Sequence, residues 1–159
     1  MATAATEAQY VTFSLADEVF AVSVAAVREI LDYRKPFKIP HGPDYLLGLT
    51  DVRGQGVPSI DLRQRLGLTP TQPTPHTRIL VLDVSLAKRQ LCLGLVADRV
   101  FEVATFTSDQ IEAAPDIGVR WRSEYIAGVV RRPEGFVILI DLASLFSSDE
   151  SALRSQAAA

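Results

Sequence analysis

Apolar residues in this chain come in short runs at 10–15, 19–24, 57–60, 79–84, 91–97, 100–106 and 136–140, each of strand length. Within them the period is two: Val11, Phe13 and Leu15 alternate with Tyr10, Thr12 and Ser14, and Phe20, Val22 and Val24 alternate with Ala21 and Ser23. That alternation is the mark of a strand with one face in a core, so the chain reads as mostly β. Helical patterns are brief: 62–66 after Asp61, 142–146 after Asp141, and 107–112, where Thr107 and Gln110 have the spacing of a capping box. None is long enough to build a bundle. Residues 1–9 read as a flexible N-terminus and 148–159 as a tail or weak helix.

The stretch TPTQPTPHT (69–77) holds three of the nine prolines and reads as an extended, solvated connection. Across it the chain repeats itself. Residues 48–66 align without a gap on 128–146 at an offset of 80 (128 − 48), with identity at Gly48/Gly128, Val57/Val137, Ile60/Ile140, Asp61/Asp141 and Leu62/Leu142. Upstream, Val27, Glu29 and Ile30 face Val100, Glu102 and Val103 at an offset of 73 (100 − 27). An internal duplication with about five short strands per copy predicts two SH3-like five-stranded β-barrels, because open sheets so small would expose apolar faces and edges. The expected division is 10–68 and 78–147, with strands free to interchange at the ends.

Composition narrows the function classes. With 159 residues, 48% of them hydrophobic and 22% charged, the chain can bury a core without staples. Sixteen basic against nineteen acidic residues leave a net charge of −3, which gives phosphate backbones no global attraction. An oligonucleotide-binding small barrel is the alternative function. It needs exposed aromatics interleaved with bases, whereas the candidate strands are aliphatic. The single cysteine, Cys92, and two histidines, His41 and His76, supply neither a disulfide nor a structural zinc site. No metal or cofactor is expected, the first residues lack a basic-then-apolar leader pattern, and no apolar run reaches membrane-spanning length.

Candidate chemistry is sparse. Asp61 and Asp141 each close a β run and open a short helix, where a carboxylate caps free N–H groups; an acid–base pair requires both in one cleft, and duplicated halves hold them apart. His41 lies in a Pro-His-Gly-Pro turn and His76 ends the proline-rich connection. Cys92 sits in an apolar strand that disfavours its thiolate. Arg34, Lys35 and Lys38 around Pro36-Phe37 read as a solvated basic loop, and Trp121 suits an interface or its own barrel equally. Arg53 differs: beside Gly54 and Gly56 between strands, it stands on a tight turn with its guanidinium projecting from rigid backbone. The run Val27-Arg28-Glu29-Ile30 is a core-edge strand that presents Glu29 opposite its apolar neighbours. No nucleophile, phosphate loop or metal-spaced pair is present, so a binding module is favoured over an enzyme.

Together these residues resemble the CheW family of chemotaxis adaptors. The likeness runs from about residue 10 to 147 through Phe13-x-Leu15, the segment from Val24 to Glu29-Ile30, Ile39-Pro40, Tyr45 with Gly48, and Asp51 to Gly54. It continues through Val57-Pro58-x-Ile60-Asp61-Leu62-Arg63, Gly94-Leu95-Val96-x-Asp98-x-Val100 and Glu124-Tyr125-Ile126-x-Gly128. The resemblance implies two intertwined SH3-like barrels without catalysis or cofactor. It implies a cytoplasmic adaptor coupling methyl-accepting chemoreceptor tips to the CheW-like regulatory domain of a CheA-type histidine kinase, and meeting other copies of itself in array rings. Carried over residue by residue, the receptor-facing positions are Val27, Glu29 and Ile30, with Arg53 and Gly54. Asp51 and Val52 stand where the family usually has Asn and Leu, and an acid there is expected to pair with Arg53 and retune receptor choice. A kinase or a receiver-bearing adaptor of the CheV type needs domains for which two barrels leave no length.

Overall fold

A computed structural model of the chain describes residues 6–40, 42–69, 71–86, 89–113 and 125–147. The strands are β1 (Glu7–Leu15), β2 (Glu18–Ser23), β3 (Val27–Asp32), β4 (Leu46–Val52), β5 (Gln55–Asp61), β6 (Arg78–Ser85), β7 (Gln90–Ala97), β8 (Arg99–Thr107), β9 (Ile111–Glu112), β10 (Ile126–Arg132) and β11 (Gly135–Ile140). Helix α1 (Leu62–Arg65) follows β5 and helix α2 (Leu142–Ser147) follows β11. The expected helix over 107–112 is a 3-10 turn at Ser108–Gln110 that runs into β9. Gln110 Oε1 accepts the Thr107 N–H at 2.8 Å, as the spacing of those two residues predicted.

Two sheets form, ordered β8-β1-β2-β11-β10-β9 and β3-β6-β7-β5-β4. One has six strands where five were expected, the sixth being two-residue β9. Relative to the division 10–68 and 78–147, which left end strands free to interchange, β1 and β2 are exchanged for β6 and β7. The second sheet takes all its strands from residues 27–97, while the β1–β2 hairpin leaves the first half and joins β8 to β11. The proline-rich connection therefore leads from α1 to β6 within one barrel. The chain changes barrel at the 3-10 turn Val24–Ala26 and again at Asp98. Within the stretch 1–9 read as a flexible N-terminus, residues 7–9 are strand, Glu7 pairing with Thr107 and Gln9 with Thr105 in the β1–β8 ladder, and residues 1–5 lie outside the described residues.

Buried side chains sort into three clusters. Val11, Phe13, Leu15, Phe20 and Val22 from the first sheet meet Leu80, Leu82, Leu93 and Leu95 from the second in a central core between the barrels. Each barrel then has a smaller interior: Ala21, Phe106, Val130, Val137 and Leu139 in one, and Val52, Val57, Ile79 and Val81 in the other. Strands β2 and β6 are thus apolar on both faces, which is why 79–82 reads as an unbroken apolar run before Asp83.

The duplication is repeated in the backbone. Register shifts fall at Leu46/Gly48 in the β4–β5 pair and at Ile126/Gly128 in the β10–β11 pair. The Asp61 N–H donates to Tyr45 O and the Asp141 N–H to Tyr125 O, both at 2.8 Å. Strands β4 and β10 escape the apolar pattern because these glycines interrupt them. Asp61 and Asp141 cap their helices, accepting the N–H of Arg63 at 3.0 Å and of Ser144 at 3.2 Å. Where the chain crosses between barrels, Asp98 accepts the Ala16 N–H of the β1–β2 turn at 2.8 Å and also takes the Arg63 guanidinium of α1. A part-buried carboxylate with partners on both sides fixes the barrels against each other.

Candidate functional site

The β4–β5 hairpin turns through two residues, with Val52 opposite Gln55. Arg53 has φ 53° and Gly54 φ 84°, the pair of left-handed residues that matches the twist of a two-residue hairpin. Glycine adopts that conformation freely. Arginine does so at a cost of about 1 to 2 kcal/mol, which the fixed turn sustains. A Cβ on Gly54 meets nothing within 4 Å, so backbone freedom, not space, requires glycine there.

Asp51 shapes this turn. Its Oδ1 accepts the Gly54 N–H at 3.0 Å, a bond that asparagine makes equally well. The expected Asp51–Arg53 pair is replaced by another. Arg53 Nε reaches Glu29 Oε2 at 3.0 Å and its Nη2 reaches Glu29 Oε1 at 3.4 Å, although the Arg53 side chain is 81% exposed. Hydrogen bonding to Glu29, then its charge, raises the Arg53 pKa above its ordinary value.

This pair has a structural meaning that spacing alone does not reveal. Strands β3 and β4 are the two edges of the five-stranded sheet, and Glu29 lies on one while Arg53 caps the other. The ion pair straddles the seam along which that sheet closes. Arg34 Nη2 crosses the same seam to Asp51 O at 3.2 Å, and Phe37 exchanges two backbone hydrogen bonds of 2.8 Å with Leu49.

A register shift between Val27 and Glu29 decides which way β3 points its side chains. Val27 pairs with Leu82 and Ile30 with Leu80, both in the central core, whereas Glu29 pairs with Val81 of the barrel interior. The bulge therefore gives Val27 and Ile30 one face and Glu29 the other, as the sequence reading expected for Glu29. Val27 is half-buried against the central core, and Ile30 is 44% exposed. Arg53 and Gly54 of the β4–β5 turn meet Glu29 of β3 at the seam, and Ile30, the next residue of β3, lies on the opposite face of that strand, shared with Val27.

The remaining candidates recede. Burial pushes the half-buried Cys92 thiol up, with the nearby Arg28 charge pulling the other way. His76 sits exposed in a turn, while His41 and Trp121 lie outside the described residues. No group of three or more metal-ligating side chains gathers among the described residues. Two features escape the sequence reading. Phe37, read as part of a solvated loop, is 75% exposed on a clamped backbone, and Val103, the duplicate of Ile30, is likewise exposed. The offset of 73 pointed to Val103; an apolar residue among cations was the only signal for Phe37.

Comparison with known proteins gives a consistent result. Residues 9–150 match the CheW-like domain family. A probable chemotaxis protein CheW from Rhizobium etli is 34% identical over 143 residues, 90% of each chain. The chemotaxis protein CheW of Klebsiella aerogenes is 33% identical over 91% of this chain and 85% of its own. Among solved structures, the scaffolding protein TtCheW from Thermoanaerobacter tengcongensis superposes with a TM-score of 0.76 at 27% identity, covering 89% of this chain and 88% of that one. Two duplicated barrels locked around a shared core, with a charged turn at a barrel seam and family likeness along nearly the whole length, place this chain in the CheW family of chemotaxis adaptor and scaffold proteins.

Proposed function

We propose that the chain couples the cytoplasmic tips of methyl-accepting chemoreceptors to the CheW-like regulatory domain of a CheA-type histidine kinase. It does so by binding alone, without cofactor or catalysis, in cytoplasmic arrays that include other copies of itself. The observation that carries this reading is the seam turn, where Arg53 is fixed by a two-residue hairpin and paired to Glu29 across the sheet edges. A receptor helix that docks here meets a preset cation, a preset acid and the exposed Ile30 side chain. Rigid presentation of a few anchors supplies most of the energy in such contacts. Val27 supports the patch from the core side. No helix among the described residues is long and apolar enough to cross a membrane, and the proposed route to the membrane is through receptors.

Glu29→Lys tests the assignment of surfaces. It places a second cation beside Arg53, and it is expected to weaken capture of a receptor signalling fragment about tenfold or more while binding to the kinase regulatory domain is unchanged. Titration of each partner separately gives the answer. Equal loss of both partners means that this turn is not a dedicated receptor surface.

A further inference from the structure

Helices α1 and α2 occupy equivalent places in the duplication but carry unlike side chains. Arg63 and Arg65 of α1 align with Ala143 and Leu145 of α2 at the offset of 80 (143 − 63). Each arginine reaches out of its own barrel. Arg63, its side chain 14% exposed, grips the Asp98 carboxylate through Nε and Nη2, while its Nη1 donates to Thr69 O at 2.7 Å. Asp98 stands where the chain leaves the five-stranded barrel, and it accepts the Ala16 N–H of the six-stranded one. Ala16 has φ 56°, a left-handed conformation that alanine keeps only where its surroundings hold it. Arg65 Nη2 donates to Leu145 O of α2 at 2.9 Å, with its guanidinium 5.7 Å above the Tyr45 ring.

These bonds supply what the central core does not. Hydrophobic burial is non-directional, so an apolar slab holds two barrels together without choosing the angle between them. A two-pronged guanidinium–carboxylate pair does choose one. The other crossover, Val24-Ala25-Ala26, has apolar side chains that offer no such bond. Orientation is therefore set from one side of the molecule, by one helix.

We propose that Arg63, Arg65 and Asp98 are positioning residues, which fix the angle at which the receptor-facing seam is held against the six-stranded barrel and themselves contact no partner. This deepens the proposed function and rests on that reading for its purpose. The angle itself is a property of the chain alone.

Pulsed dipolar spectroscopy of the full chain tests this, with spin labels at Lys35→Cys and Glu134→Cys in a Cys92→Ser background, one exposed site on each barrel. The otherwise unchanged chain is expected to show a single narrow distance. Arg63→Gln and Asp98→Asn should each widen the distribution about twofold, and together no further than either alone, because both break the same bond. Arg65→Gln should add to the width of either. Val57→Ala, inside one barrel, is expected to lower the unfolding midpoint and leave the width unchanged, which separates orientation from stability. Arg63→Lys keeps the charge without the fork, and carries the same test if a neutral variant fails to fold. With a spin-labelled receptor signalling fragment bound, its distance to the Glu134→Cys label should widen in the same proportion, while its affinity changes less than about twofold. Unchanged widths in the Arg63 and Asp98 variants overturn the proposal and leave receptor coupling standing. A tenfold loss of receptor affinity in Arg63→Gln also overturns it, because Arg63 is then a contact. A receptor fragment that fails to bind the unchanged chain contradicts the coupling reading instead, and the distances measured on the chain alone still decide the clamp.

Discussion

Arg53→Glu is expected to weaken receptor binding about 10- to 100-fold, the largest loss from any single substitution on the surface. The substitution acts twice. It removes the cation offered to the receptor, and it sets a carboxylate against Glu29 where Arg53 Nε stood 3.0 Å from Glu29 Oε2, so that the barrel seam now repels itself. The exchange Glu29→Arg/Arg53→Glu separates these effects, because it restores an opposite-charge pair across β3 and β4 with its polarity inverted. Thermal stability should return to the wild-type value in the exchanged protein, and receptor binding should not. If binding returns together with stability, the pair serves only to close the barrel and Arg53 makes no receptor contact.

The largest effect on stability is expected at Gly48. Its φ of +139° lies in a region that residues with a side chain rarely enter, and a Cβ there stands 1.9 Å from Phe37 O and 2.6 Å from Phe37 C. Both are backbone atoms, and Phe37 is fixed by its two hydrogen bonds to Leu49, so no side chain can swing aside. Gly48→Ala must break that bridge or unwind the β4 bulge, at a cost of about 3 kcal/mol or more. For a domain of this size that lowers the unfolding midpoint by roughly 6 to 12 °C. Gly54→Ala is the control, because its new Cβ meets open space and it bears only the left-handed backbone cost of about 1 to 2 kcal/mol. Equal midpoints for the two variants contradict the steric account of Gly48.

Much of this fold is legible from residue spacing. Phe13 and Phe20 mark core faces through their two-residue period, and Asp61 and Asp141 cap helices as their position at the end of a β run implies. The duplication is legible too, because Gly48 and Gly128 serve the same bulge in both copies and cannot drift. Spacing left strands free to interchange between the copies without saying which, and the β1–β2 hairpin is one that does. Local alternation states that a strand has a buried face, yet not which sheet supplies the partner; Phe13 looks the same whether its neighbour is Leu93 or Val100. A proline-rich stretch looks like a boundary, although the chain changes barrels at Asp98 and in the short turn at 24–26.

The candidate site divides in the same way. Glycine neighbours announced that Arg53 stands on a turn, and the phase break after Val24 announced that Glu29 leaves the face of its apolar neighbours. Their pairing required the closure of a five-stranded sheet, which brings β3 and β4 together from opposite edges. Asp51, two residues from Arg53, was the nearer partner in sequence. The tight turn instead directs its carboxylate to the Gly54 N–H, and the guanidinium points to the seam.

The central claim is that one rigid scaffold holds two different proteins at once, and co-sedimentation of all three components measures it most directly. A receptor signalling fragment, this chain and the CheA-type regulatory domain, mixed at equal concentration, are expected to sediment as a ternary complex. Each partner should bind the preformed pair of the other two as tightly as it binds this chain alone. Displacement of the receptor fragment by the kinase domain means a shared surface, and contradicts the account.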